Sequence, residues 1–323
     1  MLSDLGLCRE KDYAQTMDRV VLPYLDAHKR SFRVKGTGDR DLYTVCYQAD
    51  LPRGTVLICH GFTENSFKYA ELIHAFLRQG YSVTVYDQRG HGRSWRDEKL
   101  TAHDLTHVDH FTEYVEDLRK VAVEVLPAMT PPYDLFSHSM GGAVAALCLE
   151  AGTDPFRKAI FMSPMIQPMT GSIPPWITRI MTGAFCTLGR GKERVFTSSP
   201  YHGEAFEHGC ATSEVRFGWY EHIRRETPEY QNCSPTYGWV RESLNVKKKI
   251  LQRAEVEKIR IPVRVYMAEL DQVVLAEPQK QFVRRLPQGS LQVVAGAKHE
   301  IYRSEDRILD VWWADALRFL ETS

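Results

Sequence analysis

Ser139 stands in the run Ser137-His138-Ser139-Met140-Gly141-Gly142, directly after the β-rich Tyr133-Asp134-Leu135-Phe136 and before the Ala-rich Ala143–Leu147. A strand that turns sharply into a helix lifts the residue at the turn above the sheet, and small neighbours let strand and helix approach closely. The pattern is that of a nucleophile elbow, with Ser137 in the position usually held by glycine, so Ser139 is the candidate nucleophile. A serine hydroxyl is a weak nucleophile until a base takes its proton. His138 is adjacent in sequence but a poor base, because successive side chains diverge at such a turn. The chain order nucleophile, acid, histidine places the acid in Met267-Ala268-Glu269-Leu270-Asp271-Gln272-Val273-Val274 and the base in Ala295-Gly296-Ala297-Lys298-His299-Glu300. His299 is therefore the expected base. Asp271 is the expected acid because it lies past the strand, and Glu269 is its rival. An oxyanion needs two backbone N–H donors. Met140, first in the helix, supplies one. Phe62, in the loop His60-Gly61-Phe62-Thr63-Glu64, is expected to supply the other, with His60 and Glu64 bracing that loop by hydrogen bonds.

These residues need strands to carry them. Eight short β-rich runs are readable: Ser31–Lys35, Leu42–Gln48, Thr55–Cys59, Ser82–Tyr86, Tyr133–Phe136, Ala159–Met162, Val263–Met267 and Leu291–Val294. Gly36-Thr37-Gly38-Asp39 reads as a hairpin link between the first two. The later runs are separated mostly by helix-length segments, which implies an α/β fold of parallel strands with crossover helices. Helical patterns cover Phe67–Arg78, His110–Leu126, Met140–Ala151, Pro278–Arg285 and Asp306–Leu320. In the last, Ile308, Leu309, Val311, Trp312, Leu317 and Leu320 cluster at helical spacing. The rhythm stops after Pro164 and resumes at Ile261. Residues 1–165 and 258–323 read as the core, and 166–257 as a helical cap over the edge of the sheet where open α/β folds bind ligands. In the cap Ile173, Trp176, Ile177, Ile180, Met181 and Phe185 share a helical face, near Arg179, Arg190, Lys192 and Arg194. The stripe reads either as a lipid-facing surface with a cationic border or as packing of the cap onto the core. Both hold if it lines an acyl channel. Trp176, Ile177, Ile180 and Trp239 are the candidate substrate contacts.

The 323 residues are 43% hydrophobic and 25% charged, enough for a sizeable core. Lys plus Arg and Asp plus Glu are 41 each, which argues against nucleic acid as a partner, because phosphate-backbone affinity comes from excess cationic charge. The seven cysteines are scattered with no Cys-x-x-Cys pair, so neither a disulfide framework nor a zinc site is indicated, and a reducing compartment is expected. His103-Asp104-Leu105-Thr106-His107-Val108-Asp109-His110 contains metal-capable groups but no further matched ligand set. It reads as a solvated loop, with Asp109 capping a helix that begins at His110. No metal and no cofactor are expected. The opening segment, with an early Asp4, does not read as a secretory signal, and no run of about 18 apolar residues occurs. A cytoplasmic protein, or one lying peripherally on the cytoplasmic face of a membrane, is expected.

Taken together, His60–Glu64, Tyr86-Asp87-Gln88-Arg89-Gly90-His91-Gly92-Arg93-Ser94, Ser137–Gly142 and the Asp271/His299 positions resemble the α/β-hydrolases of the monoacylglycerol lipase and bacterial lysophospholipase group. Ser234-Pro235-Thr236-Tyr237-Gly238-Trp239 and Arg9-Glu10-Lys11-Asp12-Tyr13-Ala14 resemble the lysophospholipase branch. The resemblance implies an eight-stranded, mostly parallel sheet with the cap inserted between the sixth and seventh strands, no metal, and hydrolysis of single-acyl lipid esters. The expected function is serine carboxylester hydrolysis of lysophospholipids through an acyl-enzyme. Its alternatives are a monoacylglycerol lipase or general lipophilic esterase, an aminopeptidase on the same fold gripping an amino terminus with Glu204, Glu214, Glu221 or Glu226, and a non-catalytic binding scaffold.

Overall fold

The structure is a computed structural model and describes residues 6–152 and 155–322; Asp4 lies outside them. Eight strands form one sheet: β1 (Lys29–Lys35), β2 (Asp41–Tyr47), β3 (Gly54–Cys59), β4 (Tyr81–Tyr86), β6 (Tyr133–His138), β7 (Phe156–Met162), β9 (Val263–Ala268) and β10 (Gly289–Val294). Two short strands, β5 (Leu105–Thr106) and β8 (Ser234–Pro235), pair apart from it. The order in the large sheet is β1-β2-β4-β3-β6-β7-β9-β10. β2 pairs antiparallel with β1 and β4, and the remaining pairs are parallel. All eight expected strands are present, each within a few residues of its expected ends.

Central strands of such a sheet are buried on both faces and read as continuous apolar runs. β3, Gly-Thr-Val-Leu-Ile-Cys, is buried at every residue. Its side chains alternate between two cores. Val56 and Ile58 join the layer of α3 (Ala70–Arg78) and α11 (Asp306–Glu321). Leu57 and Cys59 join the layer of α4 (Thr112–Val125) and α5 (Met140–Glu150), with α10 (Ala276–Arg285) farther along the same face. Along α11, Ile308, Leu309, Trp312, Leu317 and Leu320 are buried as the periodicity requires, while Val311 faces solvent. Two N-terminal helices, α1 (Tyr13–Thr16) and α2 (Leu22–His28), flank a π turn at Met17–Val21. They cover α3 with Tyr13, Met17, Val21 and Leu25, a layer the strand pattern gave no reason to expect.

The chain between β7 and β9 carries α6 (Pro175–Thr187), α7 (Glu214–Glu226), α8 (Tyr237–Ile250) and α9 (Arg253–Val256). This segment is not a separate layer throughout. Val246 and Ile250 of α8, with Val256 of α9, pack into the core beside Val144 and Leu149. They act as the crossover helix that two parallel strands require. α7 is fastened from its buried Arg216, which donates to Glu71, Asp306, the Cys8 carbonyl and the Ser304 carbonyl.

The His103–His110 segment is not the solvated loop expected. β5 pairs with β8, His107 Nδ1 meets Thr236 Oγ1 at 2.7 Å, and His103 Nε2 meets Gln231 at 3.1 Å. The segment is a tether between the core and the β7–β9 insertion. Asp109 caps no helix: it faces His107 Nε2 at 3.1 Å, α4 begins at Thr112, and the Phe111 N–H there donates to Glu242. Among the described residues no group of three metal-capable side chains converges, no disulfide joins any of the seven cysteines, and no helix is long and apolar enough to cross a membrane.

Candidate active site

Ser139 sits at the β6–α5 junction with φ 51° and ψ −118°, a backbone conformation L residues rarely adopt. The turn is held because its N–H donates to the Met162 carbonyl while its own carbonyl accepts from the Gly142 and Met165 N–H groups. Packing explains the glycines that follow. A Cβ on Gly141 would lie 2.1 Å from the Cys59 carbonyl oxygen, and one on Gly142 would lie 2.6 Å from Pro164 Cβ. Ser137 is tolerated before the nucleophile because its hydroxyl donates to the Ile160 carbonyl of β7 at 3.2 Å.

The structure brings Asp271 and His299 together, with His299 Nδ1 and Asp271 Oδ2 2.8 Å apart. A carboxylate on Nδ1 fixes the proton there and leaves Nε2 as the acceptor. The other carboxylate oxygen of Asp271 accepts the Val273 and Val274 N–H groups. Burial pushes the Asp271 carboxyl up, but the His299 bond and those two amides outweigh it and hold the group below its ordinary value. Glu269 is not the imidazole's partner; it accepts the Gly296 N–H at 2.8 Å, bracing the loop that carries His299. No hydrogen bond joins Ser139 Oγ to His299 among the described residues, a common state for such pairs before substrate binds.

His138 is excluded as a base on firmer grounds than divergence at the turn. Its Nδ1 faces Glu64 Oε2 at 2.9 Å and its Nε2 faces the His299 carbonyl at 3.3 Å. Both partners are acceptors only, so both nitrogens carry protons and the ring is an imidazolium. Burial disfavours that charge, yet Glu64 outweighs it and raises the His138 pKa. Glu64 in turn accepts from the Gly61 N–H, Tyr69 and Tyr302 hydroxyls and His138. Although burial pushes its carboxyl up, the His138 and Lys68 charges hold it well below the usual range. One buried carboxylate thus fixes the loop before Phe62, while the imidazolium it holds grips the backbone of His299. Sequence reasoning assigned Glu64 to the loop and missed its cation. His60 braces the same loop, with Nδ1 donating to the Gly61 carbonyl and Nε2 accepting the Gln88 N–H at 2.8 Å. Met140 is the first residue of α5, where a backbone N–H has no acceptor within the helix. Phe62 is the second residue after His60, with its ring 4.0 Å from that of Trp239.

An apolar cavity of about 390 Å³ opens between α6 and α8, lined by Ile173, Met181, Val195, Tyr237, Trp239 and Val240 among others. Of the candidate substrate contacts, Trp239 lines it and Trp176, Ile177 and Ile180 do not. The expected stripe divides. Phe185 stacks on Tyr237 at 4.1 Å and Met181 faces the cavity, whereas Trp176 and Ile180 are 63% and 61% exposed. A helix lying on the surface above a cavity has an apolar requirement on one face only, so the outward residues need another reason. The cationic border is also largely spent: Arg190 pairs with Glu193, Lys192 with Asp97 and Arg194 with Asp104. Of the four carboxylates proposed for an amino terminus, Glu221 is buried against Tyr201 and Arg224, Glu204 pairs with Arg224, and Glu214 and Glu226 are the first and last residues of α7.

The family described as serine aminopeptidase, S33, matches residues 50–306. The chain is 28% identical to a probable lysophospholipase L2 of Haemophilus influenzae over 258 residues, 79% of this chain and 80% of the relative. It is 29% identical to lysophospholipase L2 of Escherichia coli over 296 residues, 85% and 83% of the two chains. In fold it is similar to a soluble variant of monoglyceride lipase from Saccharomyces cerevisiae solved with a substrate analogue, with TM-score 0.72, 19% identity, and coverage of 91% of this chain and 95% of that one.

Proposed function

The chain belongs to the serine aminopeptidase S33 family of α/β-hydrolases, and on that premise we propose that it cleaves the acyl ester of lysophospholipids through an acyl-enzyme. It is a hydrolase acting on esters, and its relatives support a lipid ester as substrate. Ser139 Oγ attacks the ester carbonyl while His299 Nε2 takes its proton. The tetrahedral oxyanion receives hydrogen bonds from the Met140 and Phe62 N–H groups. Collapse breaks the bond to the glycerol oxygen, which leaves with the proton from His299. Water then loses a proton to His299, attacks the acyl-serine and releases the fatty acid, returning the proton to Ser139. The observation that carries this reading is the buried Asp271–His299 pair at 2.8 Å, on the loops that follow β9 and β10 and beside the strained Ser139 turn.

Residues 166–257 act as the cap, rooted in the core by α8, and the cavity beneath α6 takes the acyl chain. Trp176, Ile180 and Leu188, four and then eight residues apart along one exposed stripe, dip into a membrane surface from the cytoplasmic side and pass the lipid to the cavity rim at Met169 and Phe196. Each methylene entering an apolar cavity contributes about 0.8 kcal/mol, so four more raise kcat/KM by a factor near 10² if that binding is expressed in the transition state. The test is a chain-length series of lysophospholipids and short esters at monomeric concentrations. A flat series rejects the acyl cavity and leaves a general esterase. Faster cleavage of amides than esters gives the site to the aminopeptidase reading.

A further inference from the structure

One part of the apolar cavity's wall is made by Val195–Thr197 and Pro235. The same two segments, continued by a residue or two, make a second cavity of about 300 Å³ whose lining is polar: Thr63, Ser199, Tyr201, Glu204, Arg224 and Cys233 among others. The oxyanion loop stands between the two cavities. Phe62 meets Trp239 of the apolar side, and the next residue, Thr63, lines the polar side, held at a strained φ of 62°. An ester whose carbonyl oxygen sits at that loop has room for an apolar arm in one direction and a polar arm in the other.

The chemistry of the polar cavity follows from which charges are already spent. Arg224 lines the cavity but donates to the Tyr230 carbonyl, the Asn232 carbonyl, Glu204 and Glu221, so its guanidinium is already committed to the protein. Arg194 is likewise taken by Asp104 and the Ser199 carbonyl. Glu204 differs. Its Oε2 accepts from Arg224 at 3.0 Å, its Oε1 accepts no hydrogen bond among the described residues, and its side chain is 39% exposed. Its backbone is fixed, because its N–H donates to Glu221 at 2.8 Å. A pre-positioned carboxylate with a free oxygen is a partner for a cation, through charge-assisted hydrogen bonds, and the Tyr201 hydroxyl and ring border the same space.

We propose that the cavity lined by Thr63, Tyr201 and Glu204 is a head-group subsite for an ammonium-bearing leaving group, and that it makes a zwitterionic lysophospholipid the preferred substrate. The inference rests on the lysophospholipase reading. The same ammonium chemistry is offered by a peptide amino terminus, and the substrates below separate the two sources.

The experiment compares lysophosphatidylethanolamine and lysophosphatidylglycerol with one acyl chain, both monomeric, on the full chain and on Glu204→Gln. The ammonium lipid is expected to lead by about tenfold in kcat/KM, and the lead is expected to fall to about one in the variant. On the unsubstituted protein, glycerophosphoethanolamine is expected to inhibit monoacylglycerol hydrolysis at about tenfold lower concentration than glycerophosphoglycerol, which decides the matter even if the variant does not fold. Equal rates and equal inhibition overturn the subsite and leave lipid hydrolysis standing. Failure to cleave any lysophospholipid or monoacylglycerol overturns the function and the subsite together. Faster cleavage of an aminoacyl arylamide than of either lipid gives the carboxylate to an amino terminus and overturns the head-group assignment.

Discussion

The loop beneath Ser139 and helix α6 are both close to where an ester would lie, yet they are built on opposite principles. Around the loop, Glu64 is buried and accepts from four groups of different chemistry, and His138 beside it spends both ring nitrogens. Such an arrangement has one low-energy geometry, because every alternative leaves a buried charge unpaired. α6 has no buried charge. It rests on α8 by contacts such as Phe185 on Tyr237 and turns Trp176 and Ile180 to solvent. Apolar contact is non-directional, so it tolerates small displacements. Changes in the first region should therefore cost rate and stability, and changes in the second should alter which substrates are taken.

The largest expected effect is at the reacting atom. Ser139→Ala should lower turnover by about 10⁶, measured with contaminating esterase excluded; retention of most activity would remove Ser139 from the mechanism. Asp271→Asn should lower kcat by about 10⁴, as the wrong tautomer forms, while Glu269→Gln should change it less than about threefold because Glu269 only braces an exposed loop. The reverse ranking would move the acid to Glu269.

A smaller effect tests the buried pair directly. Glu64→Gln strands the His138 imidazolium and should destabilise the protein by about 3–5 kcal/mol in urea unfolding. The pair also sets a pH window. His138 has a raised pKa in the folded state, so its contribution is fully present below about 6.5 and is lost as pH rises through the higher folded value. Glu64 has a lowered one, so its contribution is present above about 4.3 and is lost only in stronger acid. Stability should therefore decline on the alkaline side, and His138→Asn should flatten that decline. An unchanged pH profile in His138→Asn would break the contrast with α6. The smallest effects belong to the helix. Met181→Asn should flatten the acyl-length gradient, with a loss near tenfold on the longest chains. Trp176→Ala should leave monomeric substrates within about twofold and slow only vesicle-borne lipid; an equal loss on both would place Trp176 in the cavity wall.

Much of the core was legible because it depends on local pattern. The strand runs and the Ser-x-Ser-x-Gly-Gly turn follow from periodicity and from the small residues a tight strand–helix turn demands, a Cβ on Gly141 being 2.1 Å from a carbonyl oxygen, and the expected places of Asp271 and His299 follow from the chain order that such a turn implies. Three other features were not legible. The charge state of His138 depends on two acceptors 74 and 161 residues away in sequence. The split of the α6 stripe depends on where α8 lies, since Met181 and Trp176 are equally apolar in the sequence. The difference between Glu204 and Glu221 depends on which guanidinium and which hydroxyl reach each carboxylate. By itself the sequence determined the strands and the turn that carries Ser139, because these are set by neighbours along the chain. Only the tertiary structure decided which charges are spent and which stay free, because pairing and burial are properties of residues brought together from distant parts of the chain.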